Sequence, residues 1–206
     1  LHIIDGNGAP PKFWSDLDLH AFDFGHSYMT AIFNAPDDPL SQSYFASLAA
    51  KVGEDRAKEI LGVNRHNTII YPSCSPHTSF QQWRVIRPLS VDRTLVEIFT
   101  FRLDGAPEEL LQRTFTYSNV VNSPSSIVMT DDVHVYAECQ KGLATQGGDW
   151  VSQHRNAGQD LPFSGADGGE IGVGTSELPI RNQFRAWREY MAGDVAETIP
   201  QQGNER

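Results

Sequence analysis

The sequence is short of cysteine, and this shortage excludes several kinds of site. Its 206 residues include two cysteines, Cys74 and Cys139, far apart and with no Cys-x-x-Cys pair. That count excludes a disulfide scaffold, a structural zinc knuckle and an iron–sulfur cluster held by this chain. Any chemistry in these residues must therefore come from other side chains.

Positive charge and long apolar runs are also scarce. Lys and Arg number 16 against 26 Asp and Glu, a formal net charge of −10. Without a block of Lys and Arg, the chain lacks the electrostatic surface that binds a nucleic acid backbone or an anionic membrane. No apolar run approaches the roughly 20 residues that span a bilayer, and no signal-peptide pattern opens the chain. We therefore expect no nucleic acid partner, no membrane partner and a cytoplasmic location.

What the sequence does contain is a mixture of helical and strand patterns, which predicts an α+β fold. Strand-like runs of β-branched and aromatic residues cover residues 19–30, 68–71, 80–87 and 95–101. Helical patterns cover residues 40–52, 54–61, 108–122, 130–141 and 179–191. In the last helix, apolar residues at helical spacing predict the face that packs on the core: Ile180, Phe184, Trp187 and Met191.

The stretch from Gly142 to Glu177 carries nine glycines and no sustained periodicity. Structureless segments of this length inside a domain are usually functional, interfacial or disordered. We expect residues 142–177 to form a loop that is mobile in an isolated chain and lies at a subunit interface in an assembly. Residues 194–206 are expected to be a frayed tail.

Aromatic and imidazole side chains occupy even positions in the first strand-like run, namely His20, Phe22, Phe24, His26 and Tyr28. In one straight strand these side chains would share a face. At about 3.3 Å per residue, His20 and His26 would be about 20 Å apart, too far to bind one metal ion. The face either lines an aromatic pocket or packs beneath a helix, and the pattern leaves both open.

Asp131 and Asp132 follow Thr130 where a helix is predicted to start, a position at which acidic residues usually cap the helix or interact with its dipole. Asp132 and His134 are about 200° apart around such a helix and do not face one point. No Gly-x-Ser-x-Gly, His-Glu-x-x-His or nucleotide-binding motif is present. The residues alone indicate an acidic domain with an aromatic interior and no assigned chemistry.

Three ordered blocks are residues 67–73 followed by 82–94, residues 130–143 and residues 175–191. They begin Asn-Thr-Ile-Ile-Tyr-Pro-Ser with Gln-Trp-Arg-Val-Ile-Arg-Pro, Thr-Asp-Asp-Val-His, and Thr-Ser-Glu-Leu-Pro-Ile-Arg. Together they resemble the C-terminal catalytic domain of the alpha (large) subunit of Rieske-type aromatic ring-hydroxylating dioxygenases. The resemblance implies a helix-grip (START-like) fold, an antiparallel sheet curved around a long C-terminal helix. It makes residues 1–206 the C-terminal part of such a domain.

The resemblance also implies a mononuclear non-heme Fe(II) held by two histidines and one carboxylate, with open positions for O₂. It assigns the carboxylate to Asp132, with Asp131 as a helix cap or neighbouring acid. The two-histidine motif and the Rieske domain of the family are not found in this sequence. The chain therefore resembles part of a larger subunit that retains one of the three iron ligands.

The same resemblance implies the reaction and its partners. A benzoate-, anthranilate- or salicylate-like arene, or a polycyclic one, would be hydroxylated with O₂. NADH would supply electrons through a reductase or ferredoxin and a Rieske 2Fe-2S cluster of the intact subunit. Alpha subunits would form trimers, with or without beta subunits. The substrate-binding residues are predicted to be His20, Phe24, Tyr71, His77, Asn122, Ser126 and Ile127.

Two other functions fit the same fold. A non-catalytic module that binds a hydrophobic ligand needs only a cavity, and it has no reason to direct Asp132 into an apolar pocket, where an unpaired charge costs several kcal/mol. A lobe that only holds subunits together would have its pocket filled by side chains. The surroundings of Asp132 therefore discriminate the oxygenase from both alternatives.

Overall fold

The computed structural model of the protein describes residues 15–30, 38–77, 81–145, 147, 150–165 and 168–193. Within these ranges the strands are β1 (Asp18–Ala21), β2 (Ser27–Thr30), β3 (Arg65–Ile69), β4 (Cys74–His77), β5 (Gln82–Ser90), β6 (Arg93–Thr100), β7 (Leu161–Pro162) and β8 (Glu170–Val173). The α-helices are α1 (Pro39–Val52), α2 (Glu54–Leu61), α3 (Glu108–Asn122), α4 (Ile127–Leu143) and α5 (Leu178–Ala192). None of these helices is long and apolar enough to cross a membrane.

The strands form two antiparallel sheets in the described part of the chain. One has the order β3-β2-β1-β8-β7, and the other has the order β4-β5-β6. The C-terminal helix α5 packs on the first sheet at β1 and at the turn that follows it. Antiparallel sheet against a long C-terminal helix is the predicted α+β class, which is confirmed, although the strands divide into two sheets.

Residues 19–30 form a hairpin, so the prediction of one straight strand is wrong. A 3-10 turn, Asp23–Gly25, separates β1 from β2. Gly25 has a φ of +84°, a conformation that only glycine adopts without strain. A Cβ there would also lie 2.8 Å from the Tyr71 ring and 2.9 Å from the Cβ of Ala186. The chain reverses at Gly25 because only glycine fits this contact between the turn, Tyr71 and α5.

The α5 helix packs through a different face from the one that its apolar spacing predicts. Its buried residues are Leu178, Asn182 and Ala186. The predicted packing residues are 44 to 70% exposed: Ile180, Phe184, Trp187 and Met191. That prediction is wrong because the backbone of the Asp23–Gly25 turn approaches the helix closely and selects small or hydrogen-bonding residues. The Nδ2 of Asn182 donates hydrogen bonds to two carbonyl oxygens, those of Phe22 (2.9 Å) and His26 (3.1 Å).

The glycine-rich segment 142–177 contributes two strands to the sheet. β8 pairs with β1, and β7 pairs with β8. The Arg181 guanidinium of α5 donates to the carbonyl oxygens of Gln153 and Arg155 and forms a largely buried ion pair with Asp160. The segment is therefore tied to α5, and its predicted position at a subunit interface stays a prediction.

Candidate functional site

Asp131 and Asp132 lie beyond the first turn of α4. The Ser126 hydroxyl caps this helix, because its Oγ accepts hydrogen bonds from the backbone N–H groups of Val128 (3.1 Å) and Met129 (3.4 Å). The prediction that Asp131 caps the helix is therefore wrong. Asp131 is exposed, whereas Asp132 is half-buried. Ser126 precedes the acidic pair by more than one turn. Asp132 therefore does not cap the helix, although its position in the sequence had indicated that role.

The charge of Asp132 and that of an arginine from another element both act on one tyrosine of α4. Burial raises the pKa of Tyr136, the negative charge of Asp132 raises it further, and the Arg84 guanidinium acts in the opposite direction. Tyr136 follows Asp132 by four residues on the same face of α4. Arg84 belongs to β5, so a charge from the three-stranded sheet acts on the same tyrosine as Asp132.

The charge of Arg84 acts on four groups that are uncharged at neutral pH. Its positive charge opposes the burial that raises the pKa of Tyr117 on α3. It also adds to the burial that lowers the pKa of two imidazoles, His66 and His77. The guanidinium thus acts on two phenols and two imidazoles.

His66 and His77 are the two imidazoles on which the charge of Arg84 acts. Their rings meet edge to face with centroids 4.4 Å apart, and both residues are buried. Burial, followed by the neighbouring His66 and then Arg84, lowers the pKa of His77 to about 3. Both imidazoles are therefore neutral at pH 7, so they can accept or donate hydrogen bonds but carry no charge.

The strand register places Gln82 beside the same groups. His77 pairs with Gln82 and Ser75 pairs with Arg84, so these four side chains share one face of the sheet. Gln82 is fully buried, and within the described residues neither its amide nitrogen nor its amide oxygen has a hydrogen-bond partner. We call the following residues the Arg84 cluster: His66, His77, Gln82, Arg84, Tyr117, Asp132 and Tyr136.

The β1–β2 hairpin carries a second group, the aromatic stack, formed by His20, Phe22, Tyr28 and Phe163. The His20 ring stacks on Tyr28 with centroids 4.5 Å apart, and the Phe163 ring meets it edge-on at 4.8 Å. The ring of Phe22 stacks on Tyr28 at 5.5 Å. Burial lowers the pKa of His20, and its Nδ1 has no hydrogen-bond partner among the described residues. His20 is thus a neutral ring enclosed by other rings.

The aromatic stack and the Arg84 cluster lie on opposite faces of the five-stranded sheet. Leu19 pairs with Met29, and Met29 pairs with His66, so these three side chains share one face. His20 and Tyr28 pair in the same hairpin one position along and must point to the other face. The structure therefore does not bring His20 together with Asp132.

Phe24 lies on the same side as the aromatic stack. It lines an open groove of about 340 Å³ together with Phe22, Tyr28 and Arg65. The Arg65 guanidinium lies 4.7 Å from the centre of the Tyr28 ring, a cation–π contact. The predicted role of Phe24 in substrate binding stays a prediction.

The remaining predicted substrate residues are distributed over the structure. Tyr71 stacks on Tyr190 of α5 with centroids 6.1 Å apart, and its backbone N–H donates to the Nδ1 of His26 (3.1 Å). Asn122 ends α3, and its buried Oδ1 has no hydrogen-bond partner in the part of the chain that the structure describes. The side chain of Ile127 lies outside the described residues. Of the predicted substrate residues, His77 is the one found in the Arg84 cluster with Asp132.

Several cluster residues were not assigned from the sequence. Gln82 and Arg84 are two residues apart in a strand that also carries Val85 and Ile86, and polar residues at alternate positions mark one face of a strand. This alternation of polar residues can be recognised in the sequence. Periodicity does not tell which face of β5 is buried, however. His66 joins the cluster only because β3 of one sheet contacts β4 of the other.

The described residues do not by themselves fit a mononuclear iron site. A facial triad needs two histidines and a carboxylate on one ion. Among the residues that the structure describes, no group of three or more His, Cys, Asp or Glu side chains could hold a metal ion. Asp132 is the single candidate ligand proposed among them, and one carboxylate does not make a facial triad.

Comparison with known sequences identifies two curated relatives, whereas no family model matches. The chain is 32% identical over 152 residues to toluate 1,2-dioxygenase subunit alpha of Pseudomonas putida, covering 72% of this chain and 32% of the relative. It is 31% identical over 150 residues to the 2-halobenzoate 1,2-dioxygenase large subunit of Burkholderia cepacia, covering 70% and 32%. The chain thus spans about a third of the length of the relatives it matches.

Solved structures show the same fold. A naphthalene 1,2-dioxygenase with indole in its active site matches with a TM-score of 0.69 and 18% identity, over 91% of this chain and 44% of that one. A Rhodococcus naphthalene 1,2-dioxygenase matches with a TM-score of 0.69 and 15% identity, over 93% and 48%. The chain is therefore homologous to a part of the large (alpha) subunits of aromatic ring-hydroxylating dioxygenases.

Proposed function

We propose that this chain forms the substrate-binding part of an aromatic ring-hydroxylating oxygenase, with the arene bound against the Arg84 cluster. The observation that supports the proposal is the half-buried Asp132, which shares a face of α4 with Tyr136 in a chain homologous to dioxygenase alpha subunits. The substrate would be a benzoate-like arene, since the two curated relatives are named for toluate and 2-halobenzoate.

In this proposal the residues of the chain hold and orient the ring. Tyr117 and Tyr136 offer aromatic surface with hydroxyl groups, a combination that suits an aromatic ring with a polar substituent. His66 and His77 are neutral and can contact a ring without introducing charge. The arene would therefore lie between α3, α4 and β5, on the side of the molecule where Asp132 is found.

Asp132 is proposed as the carboxylate ligand of Fe(II), with two histidine ligands contributed from outside the described residues. When bound, the iron would supply the activation of O₂, and electrons would come from NADH through a reductase or ferredoxin and a Rieske cluster. Assembly into an alpha-subunit trimer, with or without beta subunits, belongs to the same proposal. So does a cytoplasmic location.

The test uses a protein that contains this chain together with a two-histidine motif. Iron content and hydroxylated benzoate would be measured for wild type, Asp132→Ala and the neighbouring control Asp131→Ala. We expect Asp132→Ala to lose iron and product while it keeps its fold, and we expect Asp131→Ala to keep both. Full iron and activity in Asp132→Ala would refute the assignment, and equal loss in both variants would point to helix damage.

The non-catalytic binding module remains a weaker alternative. It explains an aromatic surface, but it does not explain why the half-buried Asp132 lies on the same helix face as Tyr136, or why the curated relatives are dioxygenase subunits. A purely structural lobe is also disfavoured. In a lobe whose interior is filled by side chains, buried polar atoms are expected to be paired. The Gln82 amide, in contrast, has no hydrogen-bond partner among the described residues.

A further inference from the structure

Buried polar groups without partners occur together on one face of the three-stranded sheet. The amide nitrogen and oxygen of Gln82 and the Nε of Arg84 are inaccessible to solvent and have no hydrogen-bond partner in the described residues. Gln82 and Arg84 are two residues apart in β5 and therefore point to the same side. Most buried polar groups are paired in native proteins, because an unpaired one loses its hydrogen bonds to water without replacement. Two neighbours with unpaired groups indicate that something polar belongs between them.

Charge indicates which kind of group is missing. None of the ion pairs found within the described ranges includes Arg84. The groups whose pKa responds to its charge are imidazoles and phenols, which carry no negative charge at pH 7. A half-buried guanidinium that forms no ion pair within the described ranges favours a ligand that supplies negative charge.

We propose that Arg84 and Gln82 bind the carboxylate of an aromatic acid. The assignment rests on the proposed function, and it names the two residues that would select a carboxylated arene over an uncharged one. A guanidinium presents parallel N–H donors that match the two oxygens of a carboxylate. The Gln82 amide adds an N–H donor from the adjacent inward position on the strand.

The tyrosines then define where the ring of the acid lies. The helix α3, which carries Tyr117, contacts β6 beside β5 and also contacts α4, which carries Tyr136. The charge of Arg84 acts on both tyrosines. An aromatic acid held by its carboxylate at Arg84 would extend its ring toward these phenol rings. Asp132 and Tyr136 are four residues apart on one face of α4, so Asp132 would be on the ring side of the ligand.

The test measures binding, so it requires no iron and no turnover. Dissociation constants for benzoate and for its uncharged analogue benzamide would be measured by calorimetry on the protein and on three variants. Arg84→Gln removes the charge, and Gln82→Met removes the amide at similar volume. Arg87→Gln is the matched control, because Arg87 lies on the opposite face of β5, is exposed and pairs with Glu97.

We expect Arg84→Gln to weaken benzoate binding about 10- to 100-fold, the loss that corresponds to a charged hydrogen bond, and to change benzamide binding less than about threefold. Gln82→Met should weaken benzoate binding about tenfold or less and leave the thermal unfolding temperature unchanged or higher, because an unpaired amide has been removed. Arg87→Gln should bind both ligands as the wild type does. If Arg84→Gln does not fold, the Gln82→Met measurements decide.

Three results would overturn the inference. They are benzoate binding that is unchanged in Arg84→Gln, equal losses for benzoate and benzamide, and a wild type that binds neither. Equal losses would mean that Arg84 supports the fold or the position of Asp132. Failure of the proposed function is distinguishable, because a protein that binds benzoate through Arg84 but produces no hydroxylated arene would refute the oxygenase and keep the carboxylate site.

Discussion

The two faces of the five-stranded sheet carry very different groups of side chains. On one face, the rings of the aromatic stack enclose His20 among Phe22, Tyr28 and Phe163. On the other face, His66 contacts His77, and the same group contains the partly buried charge of Arg84 and the fully buried Gln82 amide, which has no partner in the described residues. The comparison teaches that an abundance of aromatic residues marks a packed face, whereas a buried charge beside a buried amide is the feature on which the proposed ligand site rests.

Acidification should have the largest effect on stability and should separate the two faces. Burial lowers the pKa of His20, His66 and His77 below the ordinary value near 6.5, with His77 at about 3. Below pH 6.5 the unfolded chain binds protons that the folded chain does not, so the free energy of unfolding should fall from about pH 6.5 down to about pH 3. His77→Phe should flatten this dependence more than His20→Phe, measured by urea unfolding at several pH values. A flatter pH dependence in His20→Phe than in His77→Phe would mean that burial lowers the pKa of His20 more than that of His77.

Arg181→Ala should be the most destabilising single change among those compared at pH 7. It removes the partner of the largely buried Asp160 carboxylate, and breaking such a pair costs about 3 to 5 kcal/mol. The loss should fall on β7, β8 and the aromatic stack. Arg185→Ala removes an exposed pair with Glu170 and should cost less than about 1 kcal/mol in urea unfolding. Similar costs for the two variants would contradict the anchoring role of Arg181.

Asn182→Ala should loosen the hairpin turn from α5. The change leaves the carbonyl oxygens of Phe22 and His26 without their shared donor, at an expected cost of about 2 kcal/mol. Hydrogen exchange would follow the amides of residues 22–26 and of β3. Faster exchange confined to the turn is expected, whereas equal acceleration in both places would mean that Asn182 supports the whole sheet.

Ser126→Ala should have the smallest effect, and it tests the start of α4. Removing the capping hydroxyl should cost about 1 kcal/mol, whereas Asp131→Ala should change stability by less than about 0.5 kcal/mol. Thermal unfolding of both variants checks the order. A larger loss of stability in Asp131→Ala than in Ser126→Ala would indicate that Asp131, and not Ser126, caps α4.

The sequence predicted much of the fold because long elements carry strong patterns. α1 and α2 meet at Gly53, α3 ends at Asn122, and β5 and β6 form a hairpin, all as expected from residue patterns. The start of α4 was missed because the acidic pair gives a stronger capping signal than Ser126. The strands of the glycine-rich segment were missed because β7 has two residues and β8 has four, too few for a visible period.

The candidate site was predictable only in part. Asp132 and His77 were identified, the first through the family resemblance. His20 and Phe24 were grouped with them because a straight strand would have placed all even positions of residues 19–30 on one face. A two-strand hairpin keeps His20 opposite Tyr28 but turns this face away from His66. Which face of a sheet becomes buried is decided by long-range packing, and local periodicity does not contain that information.

The location of a bound aromatic acid tests the central claim most directly. Intermolecular NOEs from benzoate protons to the assigned rings of the protein would show which face binds the ligand. The account predicts NOEs to Tyr117 and Tyr136 and a loss of these signals in Arg84→Gln. NOEs to Phe22 and Tyr28 that persist in Arg84→Gln would contradict it and would move the binding site to the aromatic face of the sheet.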